Sequence, residues 1–151
     1  MQNFVNYNSG TIKAQNAFYA AQGNGAVSHI DLRDAAIAVE VLSGTGHAGQ
    51  AYSLTGPEPL TNAQVAAKLP WVQGRTIRYV DVARDDFKKS LLSVGVPEWS
   101  ANALIDLQRL YGEGGASLPA CEQLRGRKAT LFDDFARDYS FAFQQDARAA
   151  S

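Results

Sequence analysis

Short stretches suited to β-strands alternate along this chain with longer stretches suited to α-helices. The strand candidates are residues 26–32, 51–55 and 76–82. The helix candidates that follow them lie at about 32–42, 61–69 and 84–94. Two more helix candidates complete the chain, so the order is strand, helix, strand, helix, strand and three helices. This alternation is typical of α/β folds with parallel strands. The sequence predicts an α/β fold with a small, mainly parallel sheet and several covering helices.

The helix predicted over 32–42 begins at a capping signal. Asp31 is suited to the N-cap, where its side chain accepts an otherwise unpaired backbone N–H. Asp34, three residues later, takes the position of a capping-box partner. The rest of this helix is apolar except for Glu40, so we expect it to be largely buried. Two alternatives stand for the aspartates, a structural cap or contact with a ligand, and the residue pattern favours the cap.

The ends of the other helices carry similar signals. Thr61 and Gln64 have the spacing of a capping box, and Pro70 is expected to end the helix that they begin. Pro97 suits the first turn of the fourth helix. Thr130 is expected to cap the last helix. By contrast, residues 2–19 are polar and rich in asparagine, which predicts a weak helix or an irregular segment.

Aromatic residues in the last two helices lie at helical spacing, and we interpret them as core. They are Trp99, Phe132, Phe135 and Tyr139. Trp99 begins an apolar stripe on the fourth helix that continues through Ala103, Leu107 and Leu110. Such stripes are more often buried in a domain than used to line a ligand pocket.

Composition narrows the class of protein. The 151 residues suffice for a single domain, 1–151. Hydrophobic residues make up 46% and charged residues 19%, which is typical of globular proteins. The net charge of -1, without a basic stripe, does not support nucleic-acid binding. No apolar run is long enough for a membrane span. Cys121 is the only cysteine, which is typical of a reducing compartment, so we expect a cytoplasmic location.

No stretch of the chain forms a self-sufficient catalytic motif, so the catalytic residues are left unassigned. A dinucleotide loop requires a strand, a glycine-rich turn and then a helix. "QGNGAV" precedes a strand and "YGEGGAS" follows a helix, so neither qualifies. None of the tyrosines has a lysine four residues later, as a short-chain dehydrogenase would require. His29 and Asp31 could together bind a cation, but a polar strand end explains them better, and we predict no metal site.

Several stretches in collinear order resemble one protein family. They are "VSHIDLRDAAIAVEVL", "GHAGQAYSLTGPEPLTNAQVAAKL", "GRTIRYVDV", "GVPEWSANALIDLQRLYGEG" and "GRKATLFDDFARDYSFAF". Together they resemble the C-terminal half of NmrA-like proteins, which are atypical short-chain dehydrogenase/reductases that bind NAD or NADP. The resemblance covers nearly the whole chain and implies the C-terminal portion of a Rossmann-type fold. The family's N-terminal half carries the glycine loop.

The resemblance also implies where ligands would bind. "MQNFVNY" is similar to the family segment that borders the nicotinamide and substrate pocket. On that basis the candidates for substrate or cofactor binding are Asn3, Phe4, Asn6 and His29. NADP or NAD is the cofactor that the resemblance implies. The alternative is that the isolated chain binds no cofactor, since the glycine loop belongs to the other half.

Two functions remain open at this stage. The first is the substrate-binding part of an NAD(P)H-dependent reductase for a quinone-like or other conjugated acceptor, not catalytic as an isolated chain. The second is a non-enzymatic regulatory module that binds a small molecule or a protein. The sheet is small for so many apolar helices, so we expect exposed apolar surface. This predicts either a homo-oligomer or a complementing Rossmann chain as partner.

Overall fold

The computed structural model describes residues 1–69, 75–114 and 128–144. A π-helical turn, Phe4–Asn8, opens the chain, and a 3₁₀ turn, Ser140–Phe143, closes the described part. The strands are β1 Ala17–Ala20, β2 Ala26–Ser28, β3 Pro59–Thr61 and β4 Arg78–Asp81. The helices are α1 Ser9–Gln15, α2 Leu32–Leu42, α3 Asn62–Lys68, α4 Arg84–Ser93, α5 Glu98–Gly112 and α6 Phe132–Asp138.

The strands form two separate pairs. β1 runs parallel to β4, with Phe18 opposite Tyr79. β2 runs antiparallel to β3, with Val27 opposite Leu60. The predicted α/β class is therefore confirmed. The parallel pair is β1 and β4, and a long connection that contains helices joins these two strands.

The N-terminal segment is helical over most of its length, which agrees with the first of the two predicted alternatives, a weak helix, and it also contains a strand that was not predicted. It contains the π-helical turn, α1 and then β1. Asn16 ends α1 in the left-handed conformation, with φ at 52°, which asparagine tolerates better than most residues. Because this single residue reverses the chain, β1 begins immediately at Ala17.

The strand predicted over 51–55 is wrong. These residues are irregular, and β3 lies a few residues later. Gly56 explains the shift, because its N–H donates to the Ser28 carbonyl at 3.0 Å. A Cβ on Gly56 would lie 1.7 Å from the His29 carbonyl oxygen. The segment before β3 therefore contacts the end of β2 at Gly56, and strand pairing with β2 begins only after that residue, at Pro59.

The core lies between the N-terminal helical segment, the β1–β4 pair, α3 and α6. Its largest fully buried side chains are Phe18, Phe132, Phe135, Ile12 and Val65. The core interpretation of Phe132 and Phe135 is confirmed, and Tyr139 packs partly buried against them. The interpretation of Trp99 as a core residue is wrong, because 76% of its surface is exposed.

The outer face of α2 is also exposed, contrary to the prediction of a buried helix. Only Asp34 and Ala38 are buried. Leu32 is 64% exposed and Val39 60% exposed. Most of the helix after Asp34 is apolar, as the sequence indicates, but the described part of the chain covers only one side of it. The expected exposed apolar surface is therefore present here.

Helix starts follow the capping signals in two cases of three. Asp31 caps α2 and accepts the N–H of Arg33 at 2.8 Å. Thr61 and Gln64 form the predicted capping box at α3. α6 instead has Leu131 at its N-cap and no side-chain cap, because it begins at Phe132, one residue later than a cap at Thr130 would require. The predicted stop at Pro70 lies outside the described residues, and α3 ends at Lys68.

Within the described ranges, no helix has both the length and the apolar composition that crossing a bilayer requires.

Gly25→Ala should destabilise the fold. A Cβ at this position would lie 2.0 Å from the carbonyl oxygen of Tyr111, so the β1–β2 turn could no longer pack on α5. We expect a loss of about 2 kcal/mol or more in urea unfolding. Gly10→Ala is the matched control, because nothing lies within 4 Å of its added methyl group. Equal losses in both variants would contradict this account of Gly25.

Candidate functional site

The four predicted binding residues divide into an inner and an outer pair. The Phe4 ring is buried and makes edge contacts with the rings of His29 and Phe132, at centroid distances of 5.2 and 5.4 Å. Asn3 and Asn6 lie on the same N-terminal segment and are exposed to solvent. The structure therefore brings Phe4 and His29 into contact and leaves the two asparagines beside them at the surface.

His29 sits in an apolar surrounding with one unsatisfied ring nitrogen. Its Nε2 is buried, and no group in the described residues forms a hydrogen bond with it. Burial, assisted by the positive charge of the Met1 ammonium, lowers the pKa of His29 to about 4. The ring is therefore neutral near pH 7 and can offer one donor and one acceptor nitrogen.

Asp31 is a fully buried carboxylate that joins the N-terminal segment to α2. Its Oδ1 accepts the Nε2 of Gln2 at 3.0 Å, and its Oδ2 lies 2.8 Å from Nη2 of Arg33. Gln2 also contacts the start of α2, because its Oε1 accepts a hydrogen bond from the N–H of Leu32 at 2.9 Å. Burial opposes ionisation of Asp31, but the hydrogen bonds from Arg33 and Gln2 outweigh it and hold the pKa below its ordinary value.

Arg33 and Asp34 extend this junction to α6. Nη1 of Arg33 lies 2.7 Å from Oδ2 of Asp138, and its guanidinium lies over the Tyr139 ring at 5.6 Å. Asp34 is also fully buried, and its Oδ2 accepts the N–H of Thr130 at 2.7 Å. Asp31 therefore has the capping role that the sequence predicted, whereas Asp34 has a structural role that was not predicted, because it fixes α2 to the segment before α6. The contacts with Gln2 and Thr130 join residues far apart in sequence, and no local pattern indicates them.

A cleft that no sequence pattern indicates lies beside the β1–β2 turn. It has a volume of about 560 Å³ and is lined by residues 21–24, 81–85 and 112–113. Within it, Oδ1 of Asp81 accepts the N–H of Gly23 at 2.9 Å and the hydroxyl of Tyr79 at 2.6 Å. Burial and the neighbouring Asp81 carboxylate raise the pKa of Tyr79.

A second open cleft, of about 450 Å³, lies between Arg33 and the start of α6. Neither cleft is lined by Asn3, Phe4, Asn6 or His29. In residues 1–69, 75–114 and 128–144, no three histidine, cysteine, aspartate or glutamate side chains are grouped so that they could hold a metal ion. Cys121 lies outside the described residues.

One further glycine pattern in the sequence has the spacing of a dinucleotide loop. Gly44, Gly46 and Gly49 have the spacing G-x-G-x-x-G. They lie in the turn after α2, and the chain that follows is irregular. A phosphate-binding loop needs a preceding strand and a following helix whose N-terminus faces the phosphate. This turn has neither, so it is not a dinucleotide site.

No family model matches the chain. Several of the proteins that it resembles are NAD(P)H- or NADPH-dependent reductases. It is 38% identical over 146 residues, 95% of its length, to an NAD(P)H azoreductase of Xenophilus azovorans. It superposes with a TM-score of 0.80, at 27% identity over 91% of its length, on an NADPH-dependent quinone oxidoreductase of Escherichia coli. It shares the fold, at a TM-score of 0.76 and 23% identity over 93% of its length, of a Citrobacter sp. triphenylmethane reductase complexed with NADP(H).

The chain spans about half the length of each of these proteins, 51% of the azoreductase and 50% of the two solved structures. The similarity therefore extends over nearly all of this chain but over only half of a complete reductase. Nothing in these comparisons tests the roles of Asn3, Phe4, Asn6 and His29, which remain predictions.

Asp31→Asn should weaken the fold at neutral pH and change its acid sensitivity. The native pKa of Asp31 lies below its ordinary value. Its ionisation therefore stabilises the fold above about pH 4 and is lost as the pH falls further. We expect a loss of about 2 kcal/mol at pH 7 by urea unfolding and a smaller decline below pH 4 than in the wild type. Asp138→Asn, at the exposed end of the bridge, should cost less than about 1 kcal/mol.

His29→Gln should remove a decline in stability between about pH 6.5 and pH 4. The folded chain keeps His29 neutral down to its pKa of about 4, whereas the unfolded chain binds a proton near pH 6.5. The free energy of unfolding therefore decreases as the pH is lowered from about 6.5 to 4, by at most about 3 kcal/mol. His47→Gln retains His29 and should keep the wild-type slope. A slope that survives in His29→Gln would contradict the assignment.

Proposed function

We propose that this chain is the substrate-binding part of an NAD(P)H-dependent reductase of the NmrA-like type, acting on quinone-like or other conjugated acceptors. The observation that carries the proposal is the similarity over 95% of the chain to an azoreductase. The TM-score of 0.80 with half of a quinone oxidoreductase supports it. The chain would correspond to the C-terminal half of such an enzyme.

The described fold supports the need for a complementing half. β1 and β4 form a parallel sheet of two strands, and parallel sheets are normally larger and covered on both faces. The exposed outer face of α2, with Leu32 and Val39, offers apolar surface for such a half. A Rossmann-type half, in the same longer chain or in a separate one, would supply the glycine loop that binds NADP or NAD.

The acceptor pocket would form beside the N-terminal segment. The exposed amides of Asn3 and Asn6 can hydrogen-bond to a carbonyl or other polar atom of the acceptor. The Phe4 ring would form the apolar wall behind them, and the neutral His29 would hold that ring through the edge contact at 5.2 Å. The nicotinamide supplies hydride, and these residues would orient the acceptor for it.

A chimera tests the proposal directly. The chain alone and a fusion of the azoreductase N-terminal half to this chain would be titrated calorimetrically with NADPH and NADH, and assayed with menadione and an azo dye. We expect turnover only in the fusion, with the azoreductase half alone as the control. A correctly folded fusion that binds NADPH but reduces neither acceptor would contradict the reductase proposal. Ligand binding without turnover would favour the regulatory module instead.

Asn3→Ala and Asn6→Ala in this fusion should raise the KM for the acceptor about three- to tenfold and leave the KM for NADPH unchanged. Both side chains are exposed, so stability should change little. Asn24→Ala is the matched control, because Asn24 is also an exposed asparagine but lines the cleft beside the β1–β2 turn. If only Asn24→Ala raises the acceptor KM, the acceptor binds in that cleft and this site assignment is wrong.

A further inference from the structure

The side chain of Gln2 is held at both ends of its amide. Its Nε2 donates to Oδ1 of Asp31 at 3.0 Å, and its Oε1 accepts the N–H of Leu32 at 2.9 Å. The same Nε2 lies 3.4 Å from the hydroxyl oxygen of Tyr139. Because the donor and the acceptor of the amide are both bonded, the side chain is fixed in one orientation against the start of α2.

The main chain of Gln2 holds the turn that carries the two predicted acceptor-binding asparagines. Its carbonyl accepts the N–H of Val5 at 3.0 Å and the N–H of Asn6 at 2.9 Å. Asn3 follows Gln2 directly and stands at the N-cap of the π-helical turn, where its side chain makes no capping hydrogen bond. Both asparagines are therefore joined to Gln2, one through the peptide bond and the other through a hydrogen bond.

Apolar packing determines how deeply this segment is buried but not how it is rotated. Phe4 and Ile12 are buried on its inner side, and apolar contacts of this kind are non-directional. A hydrogen bond, by contrast, weakens steeply as its angle departs from linearity. The bonds of Gln2 therefore fix the rotation of the turn against α2, and with it the direction of the exposed amides of Asn3 and Asn6.

We propose that Gln2 is a positioning residue for the acceptor, acting through Asn3 and Asn6 without touching the acceptor itself. This role rests on the proposed function, because the acceptor is the ligand that the two amides would bind. Displacements of about 1 Å are enough to break a hydrogen bond or to misplace a reacting group. A turn released from α2 would therefore bind the acceptor less well, although both asparagines remain present.

Amide hydrogen exchange of the 151-residue chain tests the anchoring of the turn. Gln2→Met keeps the length of the side chain and removes its hydrogen bonds, so the N–H groups of Val5 and Asn6 should exchange about tenfold faster. Gln15→Met is the matched control, because the Gln15 side chain is bonded only locally, to the hydroxyl of Tyr19 at 2.6 Å. Unchanged exchange in Gln2→Met would overturn the positioning role.

Kinetics of the fusion to the azoreductase N-terminal half test the effect on the acceptor. Gln2→Met should raise the KM for menadione about five- to tenfold and leave kcat and the KM for NADPH within about twofold. In a fusion that already carries Asn3→Ala and Asn6→Ala, the same substitution should raise the KM for menadione by less than about twofold, because the groups through which Gln2 acts are gone. Circular dichroism verifies folding, and Gln2→Asn, whose amide is one methylene shorter, replaces Gln2→Met if that variant unfolds.

The outcomes separate the positioning role of Gln2 from the proposed function. A wild-type fusion that binds NADPH and reduces no acceptor overturns the proposed function, and the role of Gln2 toward the acceptor with it. An active fusion in which Gln2→Met leaves the KM for menadione unchanged overturns the role of Gln2 alone. The same holds if Gln2→Met raises this KM by equal factors with and without the two asparagines, because Gln2 would then act by another route.

Discussion

The buried carboxylate of Asp31 is the constraint on which the rest of the structure depends. A carboxylate without solvent must be paired and hydrogen-bonded, or its burial is too costly. Gln2 and Arg33 supply those bonds, so the N-terminal segment is fixed against α2. Arg33 in turn reaches Asp138 of α6. The position of Phe4 beside His29, and therefore of the proposed pocket wall, follows from this arrangement.

The parts of the fold that could be predicted from the sequence are those determined by neighbours within one helical turn. The caps at Asp31 and Thr61 require a side chain to reach a backbone group two or three residues away, and both predictions are confirmed. The strand at 51–55 failed because pairing with β2 is determined by Gly56, which must approach the His29 backbone closely. The strand β1 was missed because it has only four residues and begins directly after a reversal at Asn16.

Burial was harder to predict than secondary structure. Phe132 and Trp99 are both aromatic residues at helical spacing, yet one is fully buried and the other mostly exposed. Hydrophobic periodicity identifies an apolar face but not the element that covers it. The same limit applies to the candidate site. The sequence indicated Phe4 and His29 through a family resemblance, but the ring contact between them depends on chain segments that only the fold brings together.

The parallel pair of β1 and β4 has a consequence for how the chain folds. Ala17 pairs with Arg78, about sixty positions further along. This pairing must close a loop that contains α2, β3 and α3, and closing so long a loop has an entropic cost before any contact forms. The helices, whose contacts are local, can therefore form early. The β2–β3 pair also closes a long loop, from Ala26 to Thr61, and the β1–β4 pair, which closes the longest one, forms late. Until it does, the strand edges stay open to pairing with other chains, so we expect refolding yield to fall as protein concentration rises.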